Sequence, residues 1–329
     1  MNENRCLYCY KEFSEDQEKK PESSLGYHSR CSKKIFGSEI PPELTYSEED
    51  MFELAESIIK SHKTVTGVQP KLSLGIDKTA DRTVPSRFTI VGLWGEYILK
   101  PPTKSYRSLP ELEDLTMHLA TIAKIKTVDH SLIFLKSGKL AYITKRVDRK
   151  KGKKVHMEDM CQLTERLTEH KYKGSYEQIA KAILKYAANP GLDVINFYEL
   201  VIFCFLTGNN DMHLKNFSLL KDEQLSYHLC PAYDLIASEL VVEGDDEELA
   251  LTLNGKKKKL KRKDFVKAME RAGINAKVMS NLFNKFNKLI PKWHSFIDQS
   301  FLSDDLKKSY CQLIEEKALQ IEINKRGVE

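Results

Sequence analysis

The stretch TGNNDMHLKNFSLL, Thr207–Leu220, decides how the rest of the chain is read. Asp211, His213, Lys215 and Asn216 fall within six positions of one another. Apolar runs flank them: VIFCFL before and FSLL after. Charge-handling groups between a buried helix and a buried strand mark a site, not a core. Upstream, MEDMCQLTERL, SYEQIAKAILKYA and DVINFYELVIFCFLTG read as helices, the last the most apolar and so the most buried. Downstream, short strands are expected at Phe217–Leu220 and Tyr227–Leu229, then a hairpin in ELALTLNGKKKKL and amphipathic helices over 264–326.

The first half has a different texture. TGVQPKLSLGI, RFTIVG and EYILK are short, rich in β-branched or aromatic residues, and split by Gly and Pro. They predict an antiparallel sheet. SEEDMFELAESIIKSH is a helix capped by Ser47 with Asp50 as its partner, and LPELEDLTMHLATIAK is another, opening at Pro110. SLIFLKSGKLAYITKRVDR is a hairpin turning at Ser137-Gly138. PPEL at 41–44 marks a boundary. The expected fold is α+β and two-lobed, a small β-rich N-lobe before a mostly helical C-lobe, which is the layout of protein kinases. The expected divisions are a small Cys/His segment at 1–40, the N-lobe at 41–147 and the C-lobe at 148–329.

Composition bounds the function. Hydrophobic residues make up 41% of 329, enough for a core, yet no apolar run reaches the ~18 residues of a membrane span. The N-terminus MNENRCLYCYKEF has no signal-peptide core, so the expected location is cytoplasmic. Seven cysteines, an odd number, argue against a secreted disulfide framework. A net charge of +5 permits an anionic ligand without demanding nucleic acid. The runs RKKGKK (149–154) and KKKKLKRK (256–263) sit at Gly-containing turns and read first as solvated hairpin tips.

Phosphoryl transfer needs a carboxylate for the attacking hydroxyl, oxygen ligands for Mg²⁺ and positive charge on the phosphates. Asp211 suits the base, Lys215 the charge, and Asn216 a metal oxygen, with the D-x-x-x-x-N interval of kinases. His213 would hold the loop. Asp234, in PAYDLIAS, supplies a second carboxylate, to hold metal, though Leu235 follows it where kinases carry the Phe of D-F-G. Lys100 ends a strand where a phosphate-gripping lysine belongs, with Glu113 as its ion-pair partner and Glu111 as the alternative. TVTGVQPK could cradle phosphates through backbone N–H groups, and the backbone near Lys145–Val147 would meet adenine.

In this order, TVTGVQPKLSL, YILKPP, LPELEDLTMHLA, KRVDR, VHMEDMCQL, KYKGSYEQI, GNNDMHLKNFSLL, PAYDLIAS and LALTLNGK resemble HipA-type serine/threonine kinases, toxins of bacterial toxin–antitoxin modules, over roughly residues 60 to 320. The resemblance implies catalysis by Asp211, Mg²⁺ on Asn216 and Asp234, and ATP phosphates on Lys100. Val65, Thr66, Gly67, Val68, Gln69 and Lys71 match the family's phosphate loop. Thr64 and Thr66 stand where the family phosphorylates itself, a modification that would compete with ATP for the loop. Full-length HipA carries a further N-terminal subdomain. The short lead before this loop resembles HipT-like chains, which implies a small HipS-like accessory protein beside a HipB-like helix-turn-helix antitoxin. The family's targets include aminoacyl-tRNA synthetases, and DNA would be reached only through the antitoxin. The other readings are a kinase for a small, aminoglycoside-like alcohol and an idle pseudokinase that holds an antitoxin. The TVTG hydroxyls weigh against the first, and the intact Lys100, Asp211, Asn216 and Asp234 set against the second.

Outside that resemblance, Cys6-x-x-Cys9 and His28-x-x-Cys31 form two pairs at metal-ligand spacing. Four such ligands in two hooks suit structural, tetrahedral Zn²⁺, which would help a 40-residue unit fold.

Overall fold

The computed structural model describes residues 4–15, 25–54, 71–77, 84–91, 94–150, 152–242, 244 and 246–323. The chain divides into two compact units. Unit 1 comprises Met1–Asp114, Val128–Gly152 and Gln299–Phe301; unit 2 comprises Leu115–Thr127, Lys153–Asp298 and Leu302–Glu329.

Unit 1 opens with α1 (Ser29–Phe36), which stops at Gly37 in the left-handed conformation, φ 79°. The expected cap is present at the next helix. Ser47 N–H donates to Asp50 Oδ2 at 2.8 Å, Asp50 N–H donates to Ser47 Oγ at 3.2 Å, and residues 48–54 are helical. Five strands follow: β1 (Leu72–Asp77), β2 (Arg87–Ile90), β3 (Tyr97–Lys100), β4 (His130–Phe134) and β5 (Leu140–Lys145). They form one antiparallel sheet in the order β2-β1-β3-β5-β4. Alternation fixes its register: Leu72 and Leu74 of β1, and Tyr97 and Leu99 of β3, face one core. Phe36, Phe88 and Tyr97 meet edge-on or tilted at 5.6–6.0 Å. The β4–β5 hairpin turns at Ser137-Gly138 as expected, with Gly138 at φ 83°. Helix α2 (Leu109–Ile122) begins in this unit.

Unit 2 is built on α3 (Met160–Leu163), α4 (Tyr176–Tyr186), α5 (Pro190–Leu206), α6 (Arg262–Arg271), α7 (Ala276–Asp298) and α8 (Asp304–Gln320). Helix α5 is the central element, buried along every face from Phe197 to Leu206. Three strands, β6 (Met157–Asp159), β7 (Ser218–Lys221) and β8 (Tyr227–Leu229), form an antiparallel sheet in the order β8-β7-β6.

Two expectations need correcting. MEDMCQLTERL is not one helix. Its first three residues pair with β7, Asp159 opposite Ser218, and only Met160–Leu163 is helical. Asp159 ends the strand by capping the helix, accepting from Gln162 N–H at 3.0 Å while its own N–H donates to Gln162 Oε1 at 2.9 Å. ELALTLNGKKKKL keeps the expected turn, with Asn254 and Gly255 at φ 49° and 77°, but carries only the single bridge Leu253–Lys256 in place of paired strands. Among the described residues, no helix is long and apolar enough to cross a membrane.

Candidate active site

In unit 1, β3 delivers Lys100 to the first turns of α2. Its ammonium lies 2.7 Å from Glu113 Oε1, with the two side chains 11% and 1% exposed. A buried pair this short fixes both groups, because losing either partner strands a charge. The Lys100 Nζ also lies 5.6 Å from the centre of the Tyr142 ring, its cross-strand neighbour on β5. The alternative partner, Glu111, is not in that pair; burial pushes its carboxyl up to about 7. Lys145 ends β5 and its N–H donates to Asp129 O at 2.8 Å; Val147 is half-buried. Beyond it, Arg146 grips Asp148 with two bonds of 3.0 and 2.9 Å, and Arg149 adds a contact at 2.5 Å. Burial alone would raise the Asp148 carboxyl, but the two guanidiniums outweigh it and hold it below the usual range. Lys71 is exposed at the entrance to β1. Thr64, Val65, Thr66, Gly67, Val68 and Gln69 lie outside the described residues.

In unit 2, α5 ends at Thr207, and Gly208 at φ 64° turns the chain sharply. Asn209 accepts from the Asp211 N–H through Oδ1 at 3.2 Å, an Asx turn that sets the next residue. Tyr172 donates its hydroxyl to Asp211 Oδ1 at 2.6 Å. Asn216 sits on a 3-10 turn, Leu214–Asn216, and its amide Nδ2 donates to Asp211 O at 3.0 Å. That bond engages the amide nitrogen and leaves Oδ1 as the atom suited to a hard cation. Asp234 reaches the same loop through its neighbour. The Tyr233 hydroxyl bonds Ser218 Oγ at 2.6 Å and Lys215 O at 3.0 Å, pinning the segment after β8 to the turn before β7. Asp234 itself has φ 55°, a sparsely used region that carries strain of about 1–3 kcal/mol and concentrates at functional sites. Leu235, in the place of the kinase Phe, is fully buried.

His213 and Lys215 are placed with partners the local pattern does not reveal. The His213 ring stands edge-on to Tyr172 at 5.0 Å. Burial pushes its imidazole down to about 4, against the pull of the Asp211 and Asp234 carboxylates. Lys215 is ion-paired with Asp159 Oδ2 at 2.6 Å. Tyr172, Tyr233 and Asp159 are thus the site residues that sequence reasoning missed. All three act over 18 to 56 positions of chain, beyond any local spacing.

In the N-terminal segment, the four expected ligands converge. Cys6, Cys9, His28 and Cys31 each offer an atom within 4.8 Å of the others. Cys9 Sγ is 3.4 Å from His28 Nδ1, Cys31 Sγ is 3.9 Å from it, and the His28 backbone N–H donates to Cys6 Sγ at 3.4 Å. Metal–sulfur and metal–nitrogen bonds of about 2.3 and 2.0 Å around a tetrahedral ion require ligand separations of this order. The cluster can hold a metal ion.

Comparison with known proteins follows the same line. Residues 64–293 match the family described as HipA-like C-terminal domain. "Putative kinase Y4dM" of Sinorhizobium fredii is 31% identical over 224 residues, 64% of this chain, which spans about half (52%) of that protein's length. A "Putative kinase" of Haemophilus influenzae is 27% identical over 316 residues, 88% of this chain and 87% of that one. Among solved structures, the Shewanella oneidensis HipA, crystallised with HipB and operator DNA, superposes with a TM-score of 0.65 at 19% identity, over 83% of this chain and 73% of that chain. At that identity the likeness is one of fold.

Proposed function

This chain belongs to the HipA-like C-terminal domain family, and on that premise we propose that it is an ATP-dependent serine/threonine protein kinase, the toxin of a toxin–antitoxin module. The observation that carries the reading is the Asp211 loop. One backbone turn holds Asp211 against Tyr172 and turns the Asn216 amide nitrogen onto its carbonyl, and Tyr233 ties Asp234 to the same turn.

Asp211 accepts the proton of the substrate hydroxyl as its oxygen attacks the γ-phosphorus and the bond to the ADP oxygen breaks. Tyr172 orients that carboxylate through Oδ1. Lys100, held straight by Glu113, takes the ATP phosphates. Asn216 Oδ1 and Asp234 are hard oxygen donors that fit Mg²⁺, which when bound neutralises charge on the triphosphate. Lys215 supplies positive charge beside the transferring group, with Asp159 fixing its position. The backbone at Lys145–Val147 receives adenine, and residues 65–71 cradle the phosphates. His213 is neutral at physiological pH, so its part is to pack the loop.

Thr64 and Thr66 are the sites of self-phosphorylation and self-inhibition. The relatives' names support the kinase reading. The Shewanella HipA was solved with HipB and operator DNA, which supports a HipB-like antitoxin as partner and DNA contact through it. A HipS-like accessory protein and a translation component such as an aminoacyl-tRNA synthetase complete the proposal, all in the cytoplasm. Cys6, Cys9, His28 and Cys31 hold a structural zinc ion.

Intact-mass spectrometry of phosphatase-treated protein with Mg²⁺-ATP, beside Asp211→Asn, tests the reading. A gain of one or two phosphates on Thr64 or Thr66 in the native chain alone is expected. An equal gain in both proteins would refute the role of Asp211.

A further inference from the structure

Tyr10 follows directly on Cys9 and occupies the left-handed region, φ 63°, where bulky residues are outliers. Glycine would fit that turn without strain, so the tyrosine needs a reason. Its ring is buried, edge-on to Phe301 at 4.9 Å. Its hydroxyl donates to Asp114 Oδ2 at 2.7 Å. Asp114 is fully buried, and its other oxygen, Oδ1, meets His130 Nδ1 of β4 at 2.6 Å. A buried carboxylate is thus clasped on both oxygens, by the Cys/His segment on one side and the sheet on the other.

The residue before Asp114 on α2 is Glu113, the partner of Lys100. The two share the backbone of one helical turn, so a clasp on Asp114 restrains the backbone from which Glu113 projects. The Cys6–Cys9 turn is itself registered on β4. Leu7 O accepts from Leu132 N–H at 3.3 Å and from Ser131 Oγ at 3.1 Å, while Tyr10 N–H closes the turn on Cys6 O at 2.9 Å. The ligand cluster, Tyr10, Asp114 and Glu113 form one continuous chain of contacts within unit 1.

We propose that Tyr10 is a positioning residue for nucleotide binding: the metal-held Cys6–Cys9 turn sets Tyr10, Tyr10 and His130 set Asp114, and Asp114 holds the α2 turn that keeps Glu113 on Lys100. This rests on the reading of Lys100 as the ATP-phosphate lysine and of the Cys/His cluster as a zinc site. Metal occupancy then governs nucleotide affinity without any metal contact to nucleotide.

The test is a double-mutant cycle on the full chain, titrating Mg²⁺-ATP by calorimetry and measuring zinc by elemental analysis. Tyr10→Phe removes only the hydroxyl. It is expected to keep its zinc and to weaken ATP binding about five- to tenfold, the size of a typical coupling between residues in one network. In a Glu113→Gln background the same change is expected to weaken binding less than about twofold, because the effect runs through Glu113. Tyr10→Phe binding like the native chain, or adding its full effect to Glu113→Gln, overturns the proposal and leaves the kinase reading intact. A native chain that binds no ATP removes the kinase reading itself, and a native chain free of zinc removes the metal from the argument.

Discussion

His213 shows how far a single environment reaches. The folded chain holds its imidazole neutral down to about 4, because burial outweighs the nearby Asp211 and Asp234 carboxylates. In the unfolded chain it protonates near 6.5. The stability it supports is therefore fully present above about pH 6.5 and is lost as pH falls toward 4. By pH 5 the loss amounts to about 2 kcal/mol. His213→Gln is expected to flatten this slope, so denaturant melts at pH 7 and pH 5 should differ less than those of the native chain. A variant that stays as acid-sensitive as the native protein would place the titration elsewhere. At this scale the sequence made some pairs legible. Lys100–Glu113 followed from a strand end and the next helix, and Ser47–Asp50 from a capping spacing. Tyr172–Asp211, Asp159–Lys215 and Tyr10–Asp114 were not legible. Each joins residues 39, 56 or 104 positions apart, and only the folded backbone brings them together.

Elements were legible where a segment had one composition from end to end and breakers at its ends. The strands of unit 1 stand where β-branched and aromatic runs between Gly and Pro put them, and α4 and α5 stand within the segments read as helices. The failure at Met157–Leu163 was one of length. Three strand residues and four helical ones are too few for either period to declare itself, and a cap shared at Asp159 decided the switch. The exit of α5 makes a sharper prediction. Gly208 has φ 64°, and a Cβ there would stand 2.6 Å from Leu313 Cδ2 and 3.1 Å from Glu239 Cβ. Gly138, at the β4–β5 turn, has a similar φ of 83° but nothing within 4 Å of such a Cβ. Gly138→Ala should thus cost only the left-handed penalty, about 1 kcal/mol. Gly208→Ala should cost about 3 kcal/mol, because the clash adds to it, and should reduce the proposed phosphate transfer, since Asp211 lies three residues on. Thermal melts of the two variants, with phosphate transfer measured below both midpoints, check this. Equal destabilisation would mean that Leu313 and Glu239 yield without cost.

Over the whole molecule, the charged runs and the Cys/His cluster call for different tests. The basic run at 256–263 reads by sequence as a solvated tip. In the fold, Lys256 pairs with Asp264, Lys257 with Glu247 and Lys258 with Asp246, so three of its seven basic groups are answered within unit 2. That weighs against a nucleic-acid surface there. On the proposed zinc reading, the N-terminal segment depends instead on a metal. Cys6, Leu7, Tyr10, Tyr27, Ile35 and Phe36 are buried, yet a segment of this length cannot bury a core sufficient to fold alone. Unit 2 has its own core around α5, and the four ligands belong to unit 1. Chelation should therefore act locally. After zinc removal, amide exchange should quicken about tenfold or more at Leu7, whose N–H bonds Gly26 O, and at Leu132, whose N–H bonds Leu7 O. The amides of α5 should keep their protection, because local opening leaves a separate cooperative unit in place. Loss spread evenly over both units would make the ion a requirement of the whole fold. Full protection at Leu7 and Leu132 in metal-free protein would mean that packing against β4 alone holds the segment, and that the four ligands converge without structural need.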